Sequence, residues 1–222
     1  IFLDYIKNSN LPWSVDAIIH LGGCSSTIER DESFLTRNNY EYTKLLATFA
    51  LNKDIRFIYA SSAATYGSGL KGFSDEVNLE TLNPLNLYGH SKQKFDMWAK
   101  EQGVLNRIVG LKYFNVFGPS EYHKKEMQSM VRRGYLQVLD SGKIRLFKSY
   151  NPKYADGDQE RDFLYVKDAV EMTLFFLDKP EIGGIFNAGT GLARTWNELT
   201  DAVFKAMDRE ITVEYIDMPD AI

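Results

Sequence analysis

Tyr88 and Lys92 stand four residues apart in Tyr88-Gly89-His90-Ser91-Lys92. On a helix that spacing puts both side chains on one face, within reach of each other. A free phenol titrates at about 10, and a neighbouring ammonium favours its phenolate, so the pair can serve as a base near neutral pH. Ser62 closes the apolar run RFIYASS (56–62) and would hydrogen-bond the same substrate hydroxyl. Together the three suit proton transfer at an alcohol. The bare Tyr-x-x-x-Lys pattern arises by chance; a serine at the preceding strand end gives it weight.

A second cluster follows YFNVFGPSEY (113–122), where His123, Lys124 and Lys125 are adjacent. Its plainest reading is a solvated loop. In open α/β sheets ligands gather beyond the carboxyl ends of the strands. The runs DAIIHLGG (16–23), RFIYASS (56–62) and RIVGLKYFNVFG (107–118) end in Gly22-Gly23-Cys24-Ser25, in Ser61-Ser62 and in Asn115-Val116. Glycines after the first run would let a ligand approach the backbone.

These three runs read as strands buried on both faces, as a parallel sheet requires. NNYEYTKLLATFALN (38–52) and YGHSKQKFDMWAKEQ (88–102) between them have helical spacing, so right-handed crossovers and a doubly wound α/β sheet are expected. Beyond Pro119, a helix is expected through Met127, Met130, Val131 and Val138, and a long polar loop over 146–160. A strand follows over 161–166, a helix over 167–177, a strand and turn over 184–191 and a strand over 211–216. Thr195 and Glu198 have capping-box spacing, which starts a helix. IFLDYIKN (1–8) reads as helix, and both chain ends read as cut.

A chain of 222 residues with net charge −4 is large enough for a substantial core and too acidic for a broad nucleic-acid footprint. One cysteine forms no internal disulfide, and three scattered histidines make a poor metal site, so no metal is expected. No apolar run is long enough to span a membrane and nothing resembles a signal peptide. A cytoplasmic globular protein is expected. Cys24 reads as a small buried hydrophobe, His20 and His90 as structural.

Ser62, Tyr88 and Lys92 resemble the catalytic triad of the extended short-chain dehydrogenase/reductases, and SSAATYG (61–67), PLNLYGHSK (84–92), KYFNVFGP (112–119) and RDFLYVKD (161–168) follow in that branch's order. A finer resemblance is to its family of NADP-dependent epimerases that invert C6 of ADP-heptose. It is carried by HLGGCSST (20–27), NNYEYTKLL (38–46), EYHKKEM (121–127), LFKSY (146–150) and YADGDQERDF (154–163). This implies a Rossmann-type domain over 1–118 rejoined by 161–190, and a substrate-binding domain from 119–160 and 191–222. It also implies a chain lacking the family's N-terminal Gly-rich turn and C-terminal segment, and a homo-oligomer, a pentamer.

The resemblance implies roles residue by residue. Ser62, Tyr88 and Lys92 are catalytic, and Lys124 is a second acid/base facing Tyr88 across the sugar. Leu21, Gly22, Gly23, Cys24, Ser25, Asn38, Lys92, Val116 and Lys124 contact NADP, with NAD possible. Ser62, Asn115, Glu126, Arg133, Phe147, Lys148, Ser149, Tyr150 and Arg161 bind the ADP-heptose, Arg161 at its diphosphate. Lys125 departs from the family, which usually has glycine there. The implied reaction, oxidation to a 6-keto sugar and reduction from the other face, feeds lipopolysaccharide core synthesis. Another nucleotide-sugar epimerase or dehydratase of the branch is an alternative; a non-catalytic nucleotide-sugar binding module is one of another class.

Overall fold

The computed structural model describes Ile6 and residues 14–218. The helix expected over 1–8 and the cut ends therefore lie outside the described residues, Ile6 apart. The chain gathers into two compact units, Ile1–Tyr113 with Val170–Ala188, and Phe114–Ala169 with Gly189–Ile222.

The first unit is a parallel sheet in the order β1 (Ala17–His20), β2 (Arg56–Ser62), β3 (Ile108–Tyr113) and β7 (Gly184–Ala188). Each junction is parallel and in steady register, Ile19 opposite Ile58 and Tyr59 opposite Gly110. β2 and β3 are apolar almost throughout because both faces are covered. β1 departs from that expectation: its Ile19 is exposed, since the strand lies at the sheet's edge among the described residues.

The first crossover starts six residues earlier than expected. Asp31 caps α1 (Glu32–Leu35) by accepting from the Phe34 N–H. A π-helical stretch, Thr36–Glu41, and α2 (Tyr42–Asn52) continue it without a break. The second crossover contains α3 (Leu87–Glu101), capped by Asn86 through the Gly89 N–H. Leu46, Ala47, Phe49 and Ala50 of α2 pack with Phe95 and Ala99 of α3 on Phe57, Tyr59 and Ile108, which forms the core under both helices.

The run at 107–118 is two strands rather than one. β3 ends at Tyr113, and β4 (Asn115–Phe117) belongs to the second unit, parallel to β6 (Glu160–Tyr165). β6 also pairs antiparallel with β8 (Ala193–Thr195), a strand too short to leave a periodic signal. A turn of 3₁₀ helix spans Tyr122–Met127, so Met127 precedes α4 (Met130–Ser141) instead of lying in it. β5 (Ile144–Phe147) occupies the start of the stretch expected to be loop and pairs with β9 (Val213–Ile216). α5 (Val166–Leu177) follows β6, and α6 (Trp196–Ala206) carries the expected Thr195–Glu198 capping box. Val138, Ile144, Leu146, Leu199, Val203 and Phe204 form this unit's core. Among the described residues, no helix is long and apolar enough to cross a membrane.

Candidate active site

α3 presents Tyr88 and Lys92 on its buried side, and β2 ends beside them at Ser62. Gly89 permits this approach, because a Cβ there would lie 2.9 Å from the Ala64 carbonyl oxygen. Ser62 Oγ accepts from the Ala64 N–H at 3.1 Å, capping the 3₁₀ turn Ala63–Tyr66, and its hydroxyl lies near enough to the Tyr88 phenol to act on its titration. The Lys92 ammonium donates to the Ala60 carbonyl at 2.9 Å and lies 5.9 Å from the centre of the Tyr88 ring. The sequence thus brings Ser62, Tyr88 and Lys92 together at one strand end.

Their electrostatics differ from expectation. Burial pushes the Tyr88 phenol above its usual value, with Cys24 adding to the rise and the Ser62 hydroxyl opposing it. Burial also pulls Lys92 down to about 8, against the opposing pull of Asp96 and then Cys24. On the chain's own charges Tyr88 is a proton donor, and a further positive charge is needed to make it a base near neutrality.

The loop after β1 lies beside this centre. Leu21, Gly22, Gly23 and Ser25 are exposed, and Cys24 is half-exposed instead of buried, since its backbone rather than its thiol is held. Asn39 does the holding: it accepts from the Cys24 N–H at 2.8 Å, donates to the Cys24 carbonyl at 3.0 Å and donates to Ser91 Oγ at 2.9 Å. Ser91 donates in turn to the Tyr88 carbonyl at 2.7 Å. Gly23, at φ +126°, has no room for a side chain against the Asn39 amide. Asn38 donates to Phe34 of its own helix. The sequence pointed to Asn38 and missed Asn39, although an asparagine facing a helix's buried side was the available signal. His20 is buried with its Nε2 against Thr43 Oγ1, and burial, then the Lys92 charge, hold it down to about 4.

The second unit carries the remaining site residues. Asn115 is exposed on β4 and donates to the Asp162 carbonyl, while Val116 pairs with Leu164 of β6. The Arg161 guanidinium lies 5.7 Å from the Trp196 ring. Phe147, Lys148, Ser149 and Tyr150 leave β5 in an ordered segment. The Lys148 ammonium meets Asp217 at 3.0 Å, Ser149 N–H donates to Asp156, and the Tyr150 hydroxyl accepts from the Met218 N–H. Glu126 and Arg133 are exposed.

Lys124 sits in a loop closed by Glu121, a residue the sequence reading overlooked. Its carboxylate accepts from the Gly118 N–H and from both the N–H and hydroxyl of Ser129. Burial pushes the Glu121 carboxyl up, but those bonds and the Lys124 charge outweigh it and hold the group below its usual value. Lys124 itself is exposed, so the burial expected of a second acid/base is not supplied within this unit. Lys125 has φ 48° and ψ −119°, a backbone that suits glycine.

A nicotinamide dinucleotide fits the first unit's residues. The buried Lys92 ammonium has three donors and gives one to Ala60, leaving two for a ribose diol. The exposed glycine backbone after β1 lies at the strand end where such ligands pass. Fold and strand-end arrangement thus define a Rossmann-like α/β protein. Residues 10–189 match the NAD dependent epimerase/dehydratase family, and the chain belongs to it. It is 53% identical over all 222 residues to the ADP-L-glycero-D-manno-heptose-6-epimerase of Nitratidesulfovibrio vulgaris, spanning 69% of that protein. It is 44% identical to the enzyme of that name from Fusobacterium nucleatum, with 99% of this chain and 72% of that one covered. The crystal structure of Helicobacter pylori ADP-L-glycero-D-manno-heptose-6-epimerase matches with a TM-score of 0.79 at 29% identity, over 96% of this chain and 64% of that one.

Proposed function

We propose that the chain carries the reaction centre of an ADP-L-glycero-D-manno-heptose 6-epimerase. The meeting of Ser62 at the end of β2 with Tyr88 and Lys92 on the buried side of α3, Lys92 pinned to Ala60 beside them, is the observation that carries this reading. The first unit is the nucleotide-binding part and the second the substrate-binding part. The same reading makes the substrate ADP-heptose, the cofactor NADP, the compartment the cytoplasm and the assembly a homo-oligomer, as the resemblance implies. Ala63, Ala64 and Thr65 form the turn after Ser62, where a dehydratase would carry an acidic pair.

The nicotinamide, when bound, supplies a positive charge in its oxidised form and takes up and returns the C6 hydride. Tyr88 removes the C6 hydroxyl proton of one epimer, Ser62 orients that hydroxyl, and Lys92 holds the ribose. The 6-keto sugar then presents its other face, and a group opposite Tyr88 protonates the new alkoxide. In this reading Lys124 is the second acid/base, as the resemblance implies.

The test uses ADP-heptose deuterated at C6. Oxidation and re-reduction keep the deuterium in the product, and water supplies none to carbon; washout into solvent would overturn the mechanism. Tyr88→Phe should lower turnover by on the order of a hundred- to ten-thousand-fold while NADP still binds. Near-normal turnover in that variant would remove Tyr88 from the chemistry.

A further inference from the structure

A buried charge cluster under α3 has no part in the reaction described above. Asp96 is one helical turn beyond Lys92, on the same face as Tyr88 and Lys92. It is fully buried and ion-paired at 3.1 Å with Lys112 of β3, which is 1% exposed. The Asp96 carboxylate also accepts from the Tyr59 hydroxyl at 2.9 Å and from Ser61 Oγ at 2.7 Å. Lys112 donates to Thr65 Oγ1 at 2.5 Å and lies 5.0 Å from the centre of the Tyr66 ring. Gly110 makes room for the arrangement, since a Cβ there would fall 2.4 Å from the Tyr59 hydroxyl.

Such a pair is a poor device for stability alone. Taking two charges out of water costs more than their attraction returns, unless further bonds satisfy them, and an apolar pair of similar volume often serves as well. The position of this one is more telling. Lys92 grips β2 at Ala60, while Asp96 grips the flanking Tyr59 and Ser61, one residue before Ser62.

We propose that Asp96 is a positioning residue of the Ser62–Tyr88–Lys92 centre: its carboxylate fixes the strand end that carries Ser62 and sets a negative charge one helical turn from Lys92, while Lys112 balances the charge. The inference rests on the reading of those three residues given above. Every group facing the two partners can be named. Lys92 is faced by Tyr88 and Asp96 on its own helix, by Cys24 in the loop after β1, by His20 on β1 and by the Ala60 carbonyl on β2. Asp96 is faced by Lys92, by Tyr59 and Ser61 on β2, by Tyr66 in the turn after Ser62 and by Lys112 on β3. His20, held down to about 4, is uncharged throughout the range in which Lys92 titrates. Of the groups that oppose the loss of the Lys92 proton, Asp96 comes first and Cys24 second.

The experiment is the pH profile of kcat for epimerisation, with Asp96→Asn, Lys112→Met and the double variant. Removing the anion should move the alkaline limb towards acid by about one pH unit, with on the order of tenfold lower turnover at pH 8.5 and a smaller loss at pH 6.5. Lys112→Met should move the limb the other way, since Lys92 is then the sole cation paired with Asp96. If Asp96→Asn fails to fold with Lys112 unpaired, the double variant decides, and its limb must still lie on the acid side of the parent's. Limbs that stay in place while turnover falls equally at every pH would make Asp96 a structural residue and overturn the proposal. Lys92→Met separates the two readings. Full turnover in that variant overturns the reaction centre itself, whereas an inactive Lys92→Met beside unmoved limbs overturns only the role of Asp96.

Discussion

At the residue scale the two lysines of the 118–129 loop separate cleanly. Lys125 adopts φ 48° and ψ −119°, outside the region open to residues with a Cβ, and such strain costs on the order of 1–3 kcal/mol. Lys125→Gly should therefore raise stability by about 1 kcal/mol after the added freedom of an unfolded glycine is subtracted. Chemical denaturation reads that change, and a lower midpoint would show that the loop relaxes around the lysine. The same substitution should leave epimerisation intact, whereas Lys124→Met should abolish it. Equal and modest losses at both positions would mean a solvated, phosphate-attracting patch with no base in it. The sequence made Lys125 conspicuous as a departure from glycine. The reason is backbone geometry, which no pattern of charge could reveal.

Elements explain why the centre was more legible than its supports. Tyr88 and Lys92 share a helix face by spacing, and that face was visible from the residues alone. Asp96 continues it at the next turn, and Lys112 interrupts the otherwise apolar IVGLKY. Both were readable as charges on buried faces, but their pairing depends on strand order, which spacing does not encode. Asn115 and Val116 went the other way: one long run rich in β-branched and aromatic residues hid the change of sheet at Phe114. Asn39 shows how an element can shape a ligand loop from a distance. Its amide makes three bonds, two to Cys24 and one to Ser91, from within the π-helical stretch. Asn39→Ala leaves those groups unpaired and should cost about 2–3 kcal/mol of stability. Affinity for the nicotinamide dinucleotide should fall by on the order of tenfold, because the Gly22–Ser25 backbone loses its anchor. Cofactor titration by nicotinamide fluorescence checks this. Unchanged affinity in a destabilised variant would mean that the loop holds its shape without Asn39.

For the whole molecule, each unit has its own core, and the first couples its packing to its reactive charges. His20 is packed against Tyr42 and Phe57 and sits in the field of Lys92, so it stays neutral well below its usual range. The sign follows from linkage. The unfolded chain binds a proton at His20 below about pH 6.5, while the folded chain refuses it until about 4, so stability falls as pH drops between those values. Between pH 7.5 and pH 5 this group should remove about 2 kcal/mol. Carboxylates titrate in the same experiment, so the comparison is with His20→Gln, which keeps a polar partner for Thr43. Its unfolding free energy should decline less steeply by that amount, whatever its absolute value. Lys92→Met, with His20 intact, should recover a smaller part, because burial is the larger cause and the lysine's charge the lesser. Parallel curves for the parent and His20→Gln would mean that His20 takes up its proton in the folded protein as readily as in water, and that the β1 edge is open to solvent in solution.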